Sequence, residues 1–162
     1  MFPTELVTSA RLLLADAEER RLKIATAESC TGGLIAALLT EIPGSSSVFE
    51  RGFVTYSNRA KQELLGVPGD LIADAGAVSE PVARLMAEGA LREAHANIAV
   101  AVTGVAGPGG GTALKPVGLV HLAAARENRA IVHEALRLGD LGRTEIRLAA
   151  VGVALDLLRR ML

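Results

Sequence analysis

A chain of 162 residues has room for a single domain, residues 1–162, and little for a second. Half of it is hydrophobic, yet it holds one Tyr, three Phe and no Trp, so a core must come from Leu, Val, Ile and Ala. A formal charge of −1 exerts no global pull towards nucleic acid or membrane, and so few rings exclude a base-stacking platform.

Cys30 is the only cysteine, so no intrachain disulfide forms and secretion gains no support. No apolar run approaches the ~20 residues that span a bilayer. The N-terminal stretch carries acids and no basic leader, which argues against a signal peptide. The expectation is a soluble cytoplasmic protein without nucleic-acid or membrane partners.

Taken in order, Thr4 after Pro3 is a candidate cap for a first helix, in which Leu6, Ala10, Leu13, Leu14 and Ala17 recur at helical spacing. Lys23 to Ala27 reads as a short buried strand. It stops at Glu28-Ser29-Cys30-Thr31, and Gly32-Gly33 opens a second helix through Leu34, Leu38 and Leu39. Strand, small-residue turn, helix is a layout that aims a helix N-terminus at a ligand. Pro43-Gly44 breaks that helix and the three serines Ser45 to Ser47 follow in a loop. Glu50 to Tyr56 reads as a strand, and Asn58 as the cap of a short helix closed by Gly66.

After a further loop, Ser79 and Pro81 start a longer helix along Val82, Leu85, Met86 and Leu91. Asn97 to Thr103 is a continuous apolar run, as in a strand buried on both faces. The glycine-rich segment 104–116 follows. Strands over 117–125 and 130–138 form a hairpin, and a final helix covers about Thr144 to Arg160. Early alternation of strands and helices predicts a three-layer α/β/α sandwich, and the closing hairpin makes its sheet mixed.

The chemistry concentrates between Thr26 and Lys61. A serine hydrolase needs a base beside the hydroxyl and donors for the oxyanion. The G-x-S-x-G elbow is absent, and His95, His121 and His133 lie in no matching motif. A lysine serves as the base when burial lowers its pKa. Lys61 sits in the first turn of its predicted helix, where the dipole favours the neutral amine, although position alone is more often that of a solvated lysine. Tyr56 is equally a proton relay or a cover for the core edge. Cys30 precedes a helix N-terminus, which stabilises a thiolate, but a lone cysteine in a tight turn is more often packing. The glycines of 104–111 suit a backbone cradle for an anion, with Lys115 at its end, or else a flexible connection. No His, Cys or acidic pair has metal-ligand spacing.

Five segments together carry a resemblance: TAESCTGGLIA, PGSSSVFERGFVTYSNRAK, GAVSEPVA, VTGVAGPGGG and KPVGLV. They resemble the C-terminal domain of the competence-damage protein CinA, a family whose stand-alone members act as nicotinamide-nucleotide amidases. The resemblance runs from about Leu22 onward. It implies an α/β/α sandwich on a mixed, mainly parallel five-stranded sheet and a homo-oligomer, dimer or higher. It also implies hydrolysis of the carboxamide of nicotinamide mononucleotide by a Ser/Lys mechanism without metal or cofactor. Carried onto this chain, the resemblance makes Ser46 the nucleophile, Lys61 the base and Tyr56 its neighbour. Ser29, Thr31, Gly32, Ser45, Gly104 and Gly107 become substrate-facing. Arg143 and Arg147, one helical turn apart, become a phosphate or carboxylate clamp. The competing expectation is a catalytically silent nucleotide-binding or competence-related regulatory module.

Overall fold

A computed structural model describes residues 1–162. The elements are α1 (Thr4–Glu19), β1 (Ile24–Glu28), α2 (Leu34–Thr40), a 3-10 turn (Ser45–Ser47), β2 (Phe49–Val54) and α3 (Asn58–Leu65), then α4 (Gly69–Ala75), α5 (Glu80–Ala94), β3 (Ile98–Gly104), β4 (Leu119–Arg126), β5 (Val132–Arg137) and α6 (Arg143–Arg160). The sheet order is β2-β1-β3-β4-β5. β1 runs parallel to both β2 and β3, whereas β4 is antiparallel to β3 and to β5, so β4 is the one reversed strand. No helix is long and apolar enough to cross a membrane.

The sheet's two faces differ because side chains alternate along a strand. One face is paved with Ala25, Ala27, Ala99, Ala101, Ala123 and Ala125, all buried, and α5 packs on it through Ala83, Ala87, Ala90 and Ala94. Methyl groups on both sides let the helix approach closely. The other face carries Ile24, Val100, Val102, Val120 and Leu122 and is covered by α1, α2 and α6. Leu13, Ile35, Leu38, Ile146 and Leu155 are fully buried there, each contributing about 1.5–3 kcal/mol of hydrophobic transfer. The result is the three-layer sandwich with a mixed five-stranded sheet.

Local chemistry moves several boundaries from the expected ones. Thr4 lies inside α1, and Pro3 takes the cap position without a side-chain bond. The cap of α3 is Ser57, whose hydroxyl accepts from the Ala60 N–H, and Asn58 is the first helical residue. Ser79 holds the cap position of α5, but its hydroxyl donates to the Gly76 carbonyl. The three serines form a 3-10 turn. The helix α4, seven residues after Pro68, was not foreseen because so short a segment shows too little periodicity.

A serine–lysine pair at the end of the central strands

Strands β1, β2 and β3 all end on one side of the sheet, and their C-terminal ends carry the polar residues. Glu28 closes β1, Ser29 follows it, Thr55 follows β2, and Gly104 closes β3 into the glycine-rich segment. From Thr55 the chain turns straight into α3, which returns Lys61 over the end of β1. The Lys61 side chain is 1% exposed. Its Nζ donates to Ser29 Oγ at 2.9 Å and to the Thr55 carbonyl at 2.9 Å. Burial pushes its pKa below the ordinary lysine value, because desolvation penalises the charged form. Lys61, whose position alone suits a solvated lysine, is instead buried and hydrogen-bonded, as the base that the resemblance implies would need to be. A sequence signal existed: Lys61 lies one turn before the buried Leu65, on the apolar face of α3.

Ser29 opens onto a cleft of about 280 Å³, whose walls include Cys30, Tyr56, Gly104, Gly107 and Arg143. Tyr56 is exposed at its mouth and accepts a 2.9 Å bond from Arg143, which also donates to the Gly107 carbonyl at 2.7 Å. Arg143 thus ties the start of α6 to the glycine-rich loop and to the segment after β2. Burial raises the Cys30 thiol to about 11, so near neutral pH it is a protonated packing group.

The structure does not bring Ser46 to Lys61, and the expected pairing is corrected. The 3-10 turn lies at the opposite end of β1: Lys23, just before that strand, reaches the Ser46 carbonyl at 3.4 Å, and Ile24 N–H donates to the Val48 carbonyl. Five residues of β1 separate that end from Ser29, roughly 17 Å at a strand's rise per residue. Ser45 lines a different hollow, of about 210 Å³, with Ser47, Arg11 and Glu18. Three other residues expected to face substrate face the protein instead. Thr31 is fully buried with its hydroxyl on Glu28 at 2.7 Å. Gly32 packs against Arg147. Arg147 donates to the Cys30 carbonyl at 3.1 Å and the Thr31 carbonyl at 2.9 Å. Ser29, Tyr56, Gly104, Gly107 and Arg143 do share the cleft.

Sequence reasoning passed over Glu28. Its carboxylate, 1% exposed, accepts from Thr31 Oγ1 and from the N–H groups of Gly33, Ile35 and Ala36 at 2.7–3.1 Å. It thereby satisfies the orphan donors at the start of α2. An acidic residue closing a strand just ahead of a glycine-opened helix was the available signal. Cys30, Ala106 and Gly107 keep backbone N–H groups that donate to no protein acceptor, and all three residues line the cleft. No group of three His, Cys, Asp or Glu side chains is arranged to hold a metal ion.

The model of the CinA C-terminal domain family matches residues 7–162. The chain belongs to that family. It is 57% identical over 140 residues to a CinA-like protein of Mycobacterium sp. (strain JLS), covering 86% of this chain and 33% of that protein. It is 52% identical over 145 residues to a CinA-like protein of Syntrophus aciditrophicus (strain SB), 89% of this chain and 34% of the relative. The chain thus spans about a third of the length of these curated relatives. Among solved structures it is similar to the competence/damage inducible protein CihA from Agrobacterium tumefaciens, with TM-score 0.98 and 55% identity over 99% of this chain and 98% of that one. A competence-damaged protein (CinA) superfamily protein from Escherichia coli matches with TM-score 0.92 and 30% identity over 100% and 94% of the two chains. The CinA-type fold therefore extends over the whole of this chain, and the serine–lysine pair lies within the matched residues.

Proposed function

We propose that this CinA-family domain is an amidohydrolase that converts nicotinamide mononucleotide to nicotinate mononucleotide and ammonia, with Ser29 as nucleophile and Lys61 as general base. The observation that carries the reading is the 2.9 Å contact between a buried lysine amine and a serine hydroxyl at the edge of a cleft. Burial lowers the Lys61 pKa and so favours the neutral amine, the form that accepts a proton.

In the first half-reaction neutral Lys61 takes the Ser29 hydroxyl proton as Oγ attacks the carboxamide carbon. The carbonyl oxygen becomes an oxyanion, for which the unpaired N–H of Cys30 is the adjacent donor and those of Ala106 and Gly107 the donors from the facing loop. Collapse breaks the C–N bond, and the nitrogen leaves as ammonia with the proton held on Lys61. In the second, Lys61 deprotonates a water that attacks the Ser29 ester. Collapse expels Ser29 Oγ, which takes the proton from Lys61, and the acid product gives its remaining proton to solvent and departs as the carboxylate. Arg143 at the mouth supplies a cation for the phosphate, and Tyr56 fixes it there.

The test is ammonia release from nicotinamide mononucleotide by the purified protein. Turnover that Ser29→Ala abolishes supports the reading. No turnover, or turnover indifferent to Ser29→Ala, sinks it.

A further inference from the structure

The turn from Ser29 to Gly33 carries the nucleophile, and its polar groups can be accounted for one by one. Ser29 N–H donates to the Val102 carbonyl, Gly32 N–H to the Ser29 carbonyl and Leu34 N–H to the Thr31 carbonyl. Gly33, Ile35 and Ala36 N–H groups and the Thr31 hydroxyl all end on the Glu28 carboxylate. The Cys30 and Thr31 carbonyls are taken by Arg147 from α6. The donors that remain unpaired are the N–H groups of Cys30 and Thr31, and Cys30 faces the cleft. Glu28 therefore holds the turn by its donors and Arg147 holds it by its acceptors. Both side chains work through the turn and neither lines the cleft.

We infer that Glu28 and Arg147 are a pair of positioning residues that fix the Ser29 hydroxyl and the Cys30 N–H relative to Lys61. The inference rests on the reading of Ser29 as nucleophile, and it reassigns Arg147 from substrate contact to preorganisation of the turn. The two grips differ in kind. A buried carboxylate can accept all four donors, whereas an amide in its place turns an NH2 group towards at least one of them. A planar guanidinium spans two adjacent carbonyls, and a lysine ammonium cannot reproduce that fork. Loosening either grip moves atoms whose alignment matters only as the oxyanion forms, so the loss falls on kcat and leaves KM.

The test compares wild type with Glu28→Gln, Arg147→Lys and Thr31→Val, measuring kcat and KM on nicotinamide mononucleotide. Rates are taken per active site, counted with a serine-directed fluorophosphonate. Thr31→Val deletes one donor to Glu28 at constant shape and guards against a Glu28 variant that fails to fold. Expected is a kcat per titrated site lower by roughly 10- to 100-fold in Glu28→Gln and Arg147→Lys, short of the ~100- to 1,000-fold lost with an oxyanion donor itself. Thr31→Val falls by a smaller factor, and KM stays within about threefold throughout. A role in stability alone would lower the number of titratable sites and leave the rate per site intact, which overturns the inference. A rise in KM at constant kcat overturns it in favour of substrate contact by Arg147. Absence of turnover in the wild type removes the amidase reading and the positioning roles with it.

Discussion

A lysine that is 1% exposed and offered only a hydroxyl and a carbonyl has no anion to hold its proton. Lys61 therefore costs stability in its charged form. Its folded pKa lies below the ordinary value, so between the two the unfolded chain binds the extra proton, and stability rises with pH across that window. Below the folded value the penalty is fully present. Activity should follow the same group: kcat/KM climbs with pH along a limb set by Lys61 and levels once the amine is neutral. Lys61→Met keeps length and removes the charge. It should lose about 100- to 10,000-fold in kcat with an unchanged or higher melting temperature, since an apolar replacement of a buried charge is often neutral or stabilising. A destabilised Lys61→Met, or one that keeps the wild-type pH limb, would contradict this account. Lys61 was legible in the sequence as a candidate base, but its burial was overlooked because a short helix shows few positions from which to read a face.

Elements bring that lysine to its place through close backbone approach. Gly89 in α5 lies against the carbonyl of Leu65, the last residue of α3, and a Cβ there has no room. In an exposed helix Gly→Ala stabilises by about 1 kcal/mol. Here the same change should destabilise by about 1–3 kcal/mol as an overpacked contact. It should also lower kcat, because α3 carries Lys61. Denaturant melts and steady-state rates of Gly89→Ala check both, and a stabilised, fully active variant would show that α3 has slack. The alternation of strands and helices was readable because the amphipathic helices α1 and α5, the length of α6 and the continuous apolar run of β3 dominate it. What the pattern did not carry was α4, bracketed by Pro68 and Gly76, and the caps, where Ser57 outcompetes Asn58 by reaching the Ala60 N–H.

At the scale of the whole molecule, two sheet strands add a pH dependence unrelated to Lys61. His121 on β4 and His133 on β5 bond through Nδ1 and Nε2 at 2.9 Å, with Glu80 of α5 at 3.6 Å from the far nitrogen of His133. Burial lowers both histidine pKa values. As pH falls below the unfolded value of about 6.5, the unfolded chain takes up protons first and stability drops. The denaturation midpoint should therefore fall between pH 7 and pH 5 by more in the wild type than in His121→Phe, and equal falls would contradict the assignment.

The same scale explains what the sequence hid in the candidate site. Ser29 and Lys61 are 32 positions apart, and nothing in their spacing shows that they meet; the pairing of Lys61 with Ser46 came from the family resemblance alone. Parallel pairing of β1 with β2 places the ends of both strands together and leaves the serine turn at their starts. The family motifs located the segment; the topology shows which of its serines Lys61 touches.

The most direct test is ammonia release from nicotinamide mononucleotide by wild type, Ser29→Ala and Ser46→Ala side by side. The account predicts turnover by the wild type, loss of at least roughly 1,000-fold in Ser29→Ala, and Ser46→Ala within a few-fold of wild type. Retained activity in Ser29→Ala with loss in Ser46→Ala would contradict it and return the nucleophile to the serine turn.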